Sequence, residues 1–185
     1  MSKSPWKTLA SKIVYQNPWI KIHEDKVIRP DGQEGIYGYL DKPDAVFILA
    51  RSQDNSFYFL RQYRYPLQKY IYEIPAGVVN SQNYLDNAKR ELYEETGLQG
   101  KTWSHLGDFF VAPGHENVCV HAFLVTDLVN EDAISRDHQE GDESIEKIVK
   151  LSSKQVQKYM QSGKIECGIT LAAWNLYQNS PYFID

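Results

Sequence analysis

The sequence predicts an α+β fold, on three observations. Short alternating or wholly apolar segments, bounded by turn formers, recur through the first half. A segment with helical apolar spacing and charged flanks follows at 84–96. The last third returns to strand patterning and ends in two helical stretches. Strands mixed with a few helices along one chain imply that class.

Taken in order, residues 12–15 and 19–28 read as strands. Pro30-Asp31-Gly32 is a turn, and 34–40 completes a candidate three-stranded N-terminal sheet. Asp41-Lys42-Pro43-Asp44 separates a candidate subdomain, 1–43, from a main domain, 44–185. Ala45-Val46-Phe47-Ile48-Leu49-Ala50 is apolar on both faces, as in a strand covered from both sides. Asp54-Asn55 turns the chain into a strand at 57–62, and Glu73-Ile74-Pro75-Ala76-Gly77 reads as a strand end and a turn. The helix at 84–96 meets its C-cap at Gly97. Strands at 102–110 and 118–125 precede an acidic stretch, 130–144, read as a mobile loop. A strand at 145–149 leads to Ser152, the N-cap of a helix that Gly163 ends, and 168–179 is the last helix.

Composition narrows the function. A chain of 185 residues with 42% hydrophobic content can bury a core, and its net charge of −4 without a basic block argues against electrostatic binding of nucleic acid. Cys119 and Cys167 lie far apart and read as buried thiols, not a disulfide framework. No apolar run approaches a membrane span, and the first residues lack a secretory core, so a cytoplasmic protein is expected. His23, His105, His115, His121 and His138 show no zinc spacing, and none is assigned as a ligand.

The richest segment is Arg90-Glu91-Leu92-Tyr93-Glu94-Glu95-Thr96-Gly97-Leu98. On a helix, Glu91 and Glu95 are i,i+4 neighbours with Glu94 between them. Like charges at this spacing weaken a helix, and a polyvalent cation reverses that cost. Carboxylate oxygens suit Mg²⁺ or Mn²⁺. Arg90 stands i,i+4 from Glu94 and can orient its carboxylate. Leu85, Ala88 and Leu92 form an apolar stripe, which puts the acids at the edge of a buried face. The competing assignment is an ordinary solvated face.

With Gly77 upstream, this segment resembles the signature of the Nudix hydrolases: Gly, five residues, Glu, seven residues, then Arg-Glu-aliphatic-x-Glu-Glu-x-Gly-aliphatic. Arg90, Glu91, Leu92, Glu94, Glu95, Gly97 and Leu98 match the second half. The segment between Gly77 and Arg90 is one residue short, and Gln82 or Asn83 stands where the midway glutamate belongs. Arg61-Gln62-Tyr63-Arg64, Glu73-Ile74-Pro75-Ala76-Gly77, Pro113, the acidic run Asp142-Glu143-Ser144-Ile145-Glu146, and the ending around Gly163 and Gly168 resemble the ADP-ribose pyrophosphatase branch.

The resemblance implies a Nudix α/β/α sandwich with a mixed sheet and a small N-terminal antiparallel sheet. It implies Glu91 and Glu95 as metal ligands, with Glu94 and the Ala76 carbonyl beside them, and Gly77, Arg90 and Gly97 as structural members. Glu143 is the best match for the catalytic base and Glu140 the second, with Glu94 next in line. Residues 61 and 64 face opposite sides of a regular strand, so at most one of Arg61 and Arg64 enters the site unless the chain bends. The resemblance favours Arg64 near phosphate, with a surface salt bridge as the alternative. Glu116, beside Pro113, is a candidate for the terminal ribose or metal. Trp19, Tyr37 and Tyr39 are candidates for adenine stacking, with core or interface packing as the alternative. The implied partner is a small nucleotide sugar and the implied particle a homodimer. The implied reaction is Mg²⁺-dependent pyrophosphate hydrolysis, with ADP-ribose first. GDP-mannose or another sugar nucleotide, or a non-catalytic nucleotide-sugar-binding module, are the rivals.

Overall fold

The segment Ala45–Arg51 sorts its side chains onto two faces, and the larger part of the fold follows from it. In the computed structural model, which describes residues 4–129, 131–134 and 144–184, Val46, Ile48 and Ala50 enter one buried cluster. Phe47 and Leu49 enter another. A strand with period two and no polar face must be covered on both sides.

The strands are β1 (Lys7–Gln16), β2 (Lys21–Ile28), β3 (Glu34–Asp41), β4 (Ala45–Arg51), β5 (Ser56–Arg64), β6 (Lys69–Glu73), β7 (Ala76–Val78), β8 (Gln99–Phe110), β9 (Cys119–Val129) and β10 (Ile145–Ser152). The helices are α1 (Tyr84–Thr96), α2 (Ser153–Gln161) and α3 (Gly168–Gln178). A sheet in the order β10-β5-β4-β9-β8 carries β6 on β5 and β7 on β4. It is mixed: β4 runs parallel to β9, from Ala45↔Val120 to Ala50↔Val125, and antiparallel to β5. On one face α1 packs through Ala88 and Leu92 against Val46, Ile48, Tyr58 and Phe123. On the other face α2 and α3 supply Val156, Ala173, Trp174 and Tyr177 against Phe47, Phe57 and Val120. This is an α/β/α sandwich. Ser152 and Gln155 exchange the reciprocal bonds of a capping box at the start of α2.

One irregularity matters for the site. β4 meets β5 only at Ala50↔Tyr58 and Arg51↔Phe57. Beyond that point β5 pairs with β6 and β4 with β7, so the hairpin-like run 69–78 fills the opening between them. The expected turn at Ala76-Gly77 is therefore the short strand β7, because β4 offers Ala76 and Gly77 ladder partners at Phe47 and Val46.

The second compact unit comprises the residues up to Pro43 together with Phe110–Cys119. Its antiparallel sheet is β1-β2-β3. The sequence reading left 110–119 in the main domain. The structure ties it to β3 and its end through Leu40 N–H to His115 O, Tyr37 O–H to Gly114 O and Asn117 Nδ2 to Asp41. The first strand begins at Lys7, earlier than the expected 12, and is exposed along its length. Among the described residues no helix is long and apolar enough to cross a membrane. Glu140 and Glu143, with most of the acidic stretch, lie outside the described residues.

Candidate metal centre and active site

Helix α1 is built to hold acids against a neighbouring strand. Asn83 caps its first turn by accepting from the N–H groups of Leu85 and Asp86. Gly97, in the left-handed region at φ 72°, ends it and donates its N–H to Tyr93 O. Burial of Ala88 and Leu92 then fixes the rotation of the helix and turns the edge of the stripe towards β7.

Along that edge Glu91 and Glu95 are buried at 7% and 3% exposure. Ala76 N–H donates to Glu95 Oε2 at 2.8 Å. A Cβ added at Gly77 would stand 1.8 Å from the carboxyl carbon of Glu91, so the acid lies directly on the glycine backbone. Only a residue without a side chain admits that approach. Arg90 divides its guanidinium, Nη1 donating to Glu94 Oε2 and Nη2 to Glu91 Oε1, both at 2.5 Å. Burial opposes the charge on Arg90, but the two carboxylates outweigh it and raise its pKa. Glu91, Glu94, Glu95, Ala76 and Gly77 are thus brought together, with Arg90 as the brace. The donors gathered there are all hard oxygen, which fits Mg²⁺ or Mn²⁺.

The loop before α1 holds a residue that sequence reasoning missed. Asn87 is 2% exposed; its Oδ1 accepts from Asn80 N–H and its Nδ2 donates to Ser81 Oγ and Asn83 O. A neutral amide, four positions beyond Asn83, braces the shortened loop that lacks the signature's midway glutamate. The available signal was a polar residue four positions from both Asn83 and Glu91, on the inward edge of the helix.

The two arginines separate as the strand geometry requires. Arg64 Nε donates to Glu73 Oε2 at 2.6 Å, and Glu73 is buried where the chain enters Ile74-Pro75-Ala76. That run is fixed further by Ile48 N–H to Pro75 O and Ile74 N–H to Thr170 Oγ1. Arg61 instead pairs with Glu146 of β10 and lies over the Tyr70 ring. In the smaller unit Tyr37, Tyr39, Pro113 and Glu116 line one pocket of about 400 Å³. Tyr37 meets Trp6 edge-on, Tyr39 stacks on His23, and Glu116 pairs with Lys42. Trp19 is outside that lining and 71% exposed.

Known proteins resemble this chain over most of its length. Residues 41–164 match the NUDIX domain, and residues 6–40 match the nucleoside diphosphate sugar hydrolase N-terminal domain. The chain is 32% identical over 123 residues, 66% of each chain, to an ADP-ribose pyrophosphatase of Bacillus subtilis (strain 168). It is 29% identical to the methanol dehydrogenase activator of Bacillus methanolicus, over 90% of this chain and 89% of that one. An ADP-ribose pyrophosphatase of Mycobacterium tuberculosis is 28% identical over 77% of this chain and 70% of its own. The crystal structure of an ADP compounds hydrolase shares the fold, with a TM-score of 0.81, 17% identity, and coverage of 95% of this chain and 94% of that one. With the domain match spanning well over half of the residues, and with the signature's Glu91 seated on Gly77, the chain belongs to the Nudix hydrolase family.

Proposed function

We propose that this protein hydrolyses the pyrophosphate bond of a nucleoside diphosphate sugar in a Mg²⁺- or Mn²⁺-dependent reaction. ADP-ribose is the first substrate, giving AMP and ribose 5-phosphate. The carrying observation is the seating of the Glu91 carboxylate on the Gly77 backbone, beside Glu94, Glu95 and Ala76. The match of residues 6–40 to the nucleoside diphosphate sugar hydrolase N-terminal domain, and the names of two relatives, support the substrate class.

Glu91 and Glu95 would hold the metal, with Glu94 and the Ala76 carbonyl beside them. The ion supplies charge neutralisation and an acidified water. Arg90 keeps the acids in register. Arg64, with Nε anchored on buried Glu73, offers its remaining N–H groups to phosphate. Glu143, or failing it Glu140, takes the proton of the attacking water, and both assignments rest on the sequence resemblance. Tyr37, Pro113 and Glu116 supply nucleoside or ribose contacts through their pocket, with Trp19 and Arg61 as lesser contributors. Cys119 and Cys167, which form no disulfide with each other, suit a reducing compartment such as the cytoplasm.

Release of AMP from ADP-ribose, measured with Mg²⁺ and with excess chelator, tests the reaction. Turnover that survives the chelator overturns the metal requirement. A screen over sugar nucleotides decides between ADP-ribose and its rivals, and binding without turnover of any of them identifies the non-catalytic module.

We also propose a homodimer built through residues before Pro43. The exposed apolar side chains of β1, Leu9, Ile13 and Tyr15 at 46%, 48% and 52%, supply the apolar surface it needs. Light scattering at micromolar concentration should give twice the chain mass, and a fully active monomer refutes the assignment.

A further inference from the structure

We propose that His105, Asp108 and His121 form a second metal site, separate from the carboxylate box, for a divalent transition ion of the Zn²⁺ class. One ligand atom from each of the three residues lies within 4.8 Å of the others. Asp108 Oδ1 stands 2.6 Å from His105 Nε2 and 2.7 Å from His121 Nδ1. Two imidazole nitrogens and a carboxylate oxygen form the donor set that Zn²⁺ and its neighbours favour and that Mg²⁺, an oxygen seeker, does not.

The fold gathers these residues by means that spacing conceals. His105 and Asp108 are three apart on β8 and would face opposite sides of a regular strand. Between them Gly107 takes φ 148°, a conformation open to glycine, and breaks the alternation. His121 comes from the neighbouring strand β9.

His121 is 6% exposed and is fixed from two sides. Tyr84, the first residue of α1, stacks on its ring at 3.6 Å between centroids. Its Nε2, buried without a hydrogen-bond partner among the described residues, stands 3.6 Å from Asp44 Oδ2. A histidine with one nitrogen towards the metal and the other towards a carboxylate is the usual way such a ligand is oriented. The remaining two ligands are accessible, with side-chain exposures of 48% for His105 and 47% for Asp108. They line a pocket of about 370 Å³ together with Tyr84 and Phe123. An ion can enter there and keep open coordination positions. Tyr84 precedes Glu91 by two helical turns, about 10 Å along the axis, so the two sites are distinct.

The test is a competition titration of Zn²⁺ between a chromophoric chelator and the metal-free full-length protein, in the presence of excess Mg²⁺. One Zn²⁺ per chain is expected, with a rise in Tm on binding. His105→Ala and Asp108→Asn should each weaken binding at least about 10-fold, while Glu95→Gln leaves the affinity unchanged. Substitution with Co²⁺ should give visible absorption that His105→Ala removes. Both variants expose their site to solvent and spare the core, whereas His121→Ala also opens a cavity under Tyr84 and is not the deciding variant. Failure to bind Zn²⁺ overturns the proposal. Unchanged affinity in His105→Ala and Asp108→Asn overturns it as well, since the ion then sits elsewhere, at the cysteines for instance. Loss of binding in Glu95→Gln places the ion in the box and also overturns it.

Discussion

Two acidic centres lie on the α1 face of the sheet, and they handle charge in opposite ways. Glu131 is met by Ser52 Oγ–H at 2.5 Å, Tyr58 O–H at 2.7 Å and Lys150 Nζ at 3.4 Å, and Lys150 also pairs with Asp54 at 3.1 Å. Burial opposes its ionisation, but these bonds outweigh burial and hold its pKa below the ordinary carboxylate range. Glu91, Glu94 and Glu95 instead crowd one helix edge, where Arg90 pairs with Glu91 and Glu94 and Ala76 N–H donates to Glu95. The first centre is answered by protein donors. The second gathers three carboxylate groups around one guanidinium, the oxygen donor set that the proposed cation would use. The two centres differ in how many carboxyl groups one cation must serve.

The sharpest break in this comparison is Glu95→Gln. It should leave the fold intact and lower turnover by more than about 100-fold, beyond the loss from partners that only orient ligands. Full activity at limiting Mg²⁺ would remove Glu95 from the ligand set. Next is the source of the base. Glu143→Gln should cut kcat by about 10²- to 10⁴-fold with little change in KM, and Glu140→Gln should do less. The reverse order makes Glu140 the base, and indifference of both variants leaves the work to Glu94. Gly77→Ala asks whether the close seating of Glu91 matters. Its Cβ would displace the carboxylate, and we expect weaker Mg²⁺ binding and about a 10- to 100-fold loss of kcat/KM. Wild-type Mg²⁺ dependence in that variant would show that Glu91 tolerates another position.

Tyr58→Phe probes the satisfied centre and should have the smallest effect. It removes one bond to a charged acceptor, at a cost of about 1–2 kcal/mol of stability, with turnover unchanged. Burial, and then the bond to Glu131, push the Tyr58 pKa from 10.0 up to about 12. A folded pKa raised above the unfolded one stabilises fully below pH 10.0 and fades as the pH climbs through about 12. Chemical denaturation across that window should show this limb in the wild type and not in the variant.

The parts legible in sequence are those whose causes are local. Helix α1 occupies the expected 84–96 because its cap, its stripe and Gly97 all lie within one short segment. β4 was legible because being covered on both faces leaves an unbroken apolar run. Where a partner distant in sequence decides, the pattern fell silent. β7 exists because β4 lies beside it, and the segment 110–119 joins the smaller unit through bonds to β3 and its end that no spacing foretells. The exposed start of β1 carries no alternation to read, since both faces of that strand meet solvent. The box acids were readable because an i,i+4 pair is a local fact. The histidines were not, because a glycine irregularity and a second strand bring them together.

Asn87 has a consequence for how the enzyme fails in acid. An amide does not titrate, and salt does not screen its hydrogen bonds as it screens an ion pair. The bonds from Asn87 to 80, 81 and 83 therefore persist when the medium turns acidic. The loop before α1 should stay assembled through an acid excursion, and on return to neutral pH it has nothing to refold.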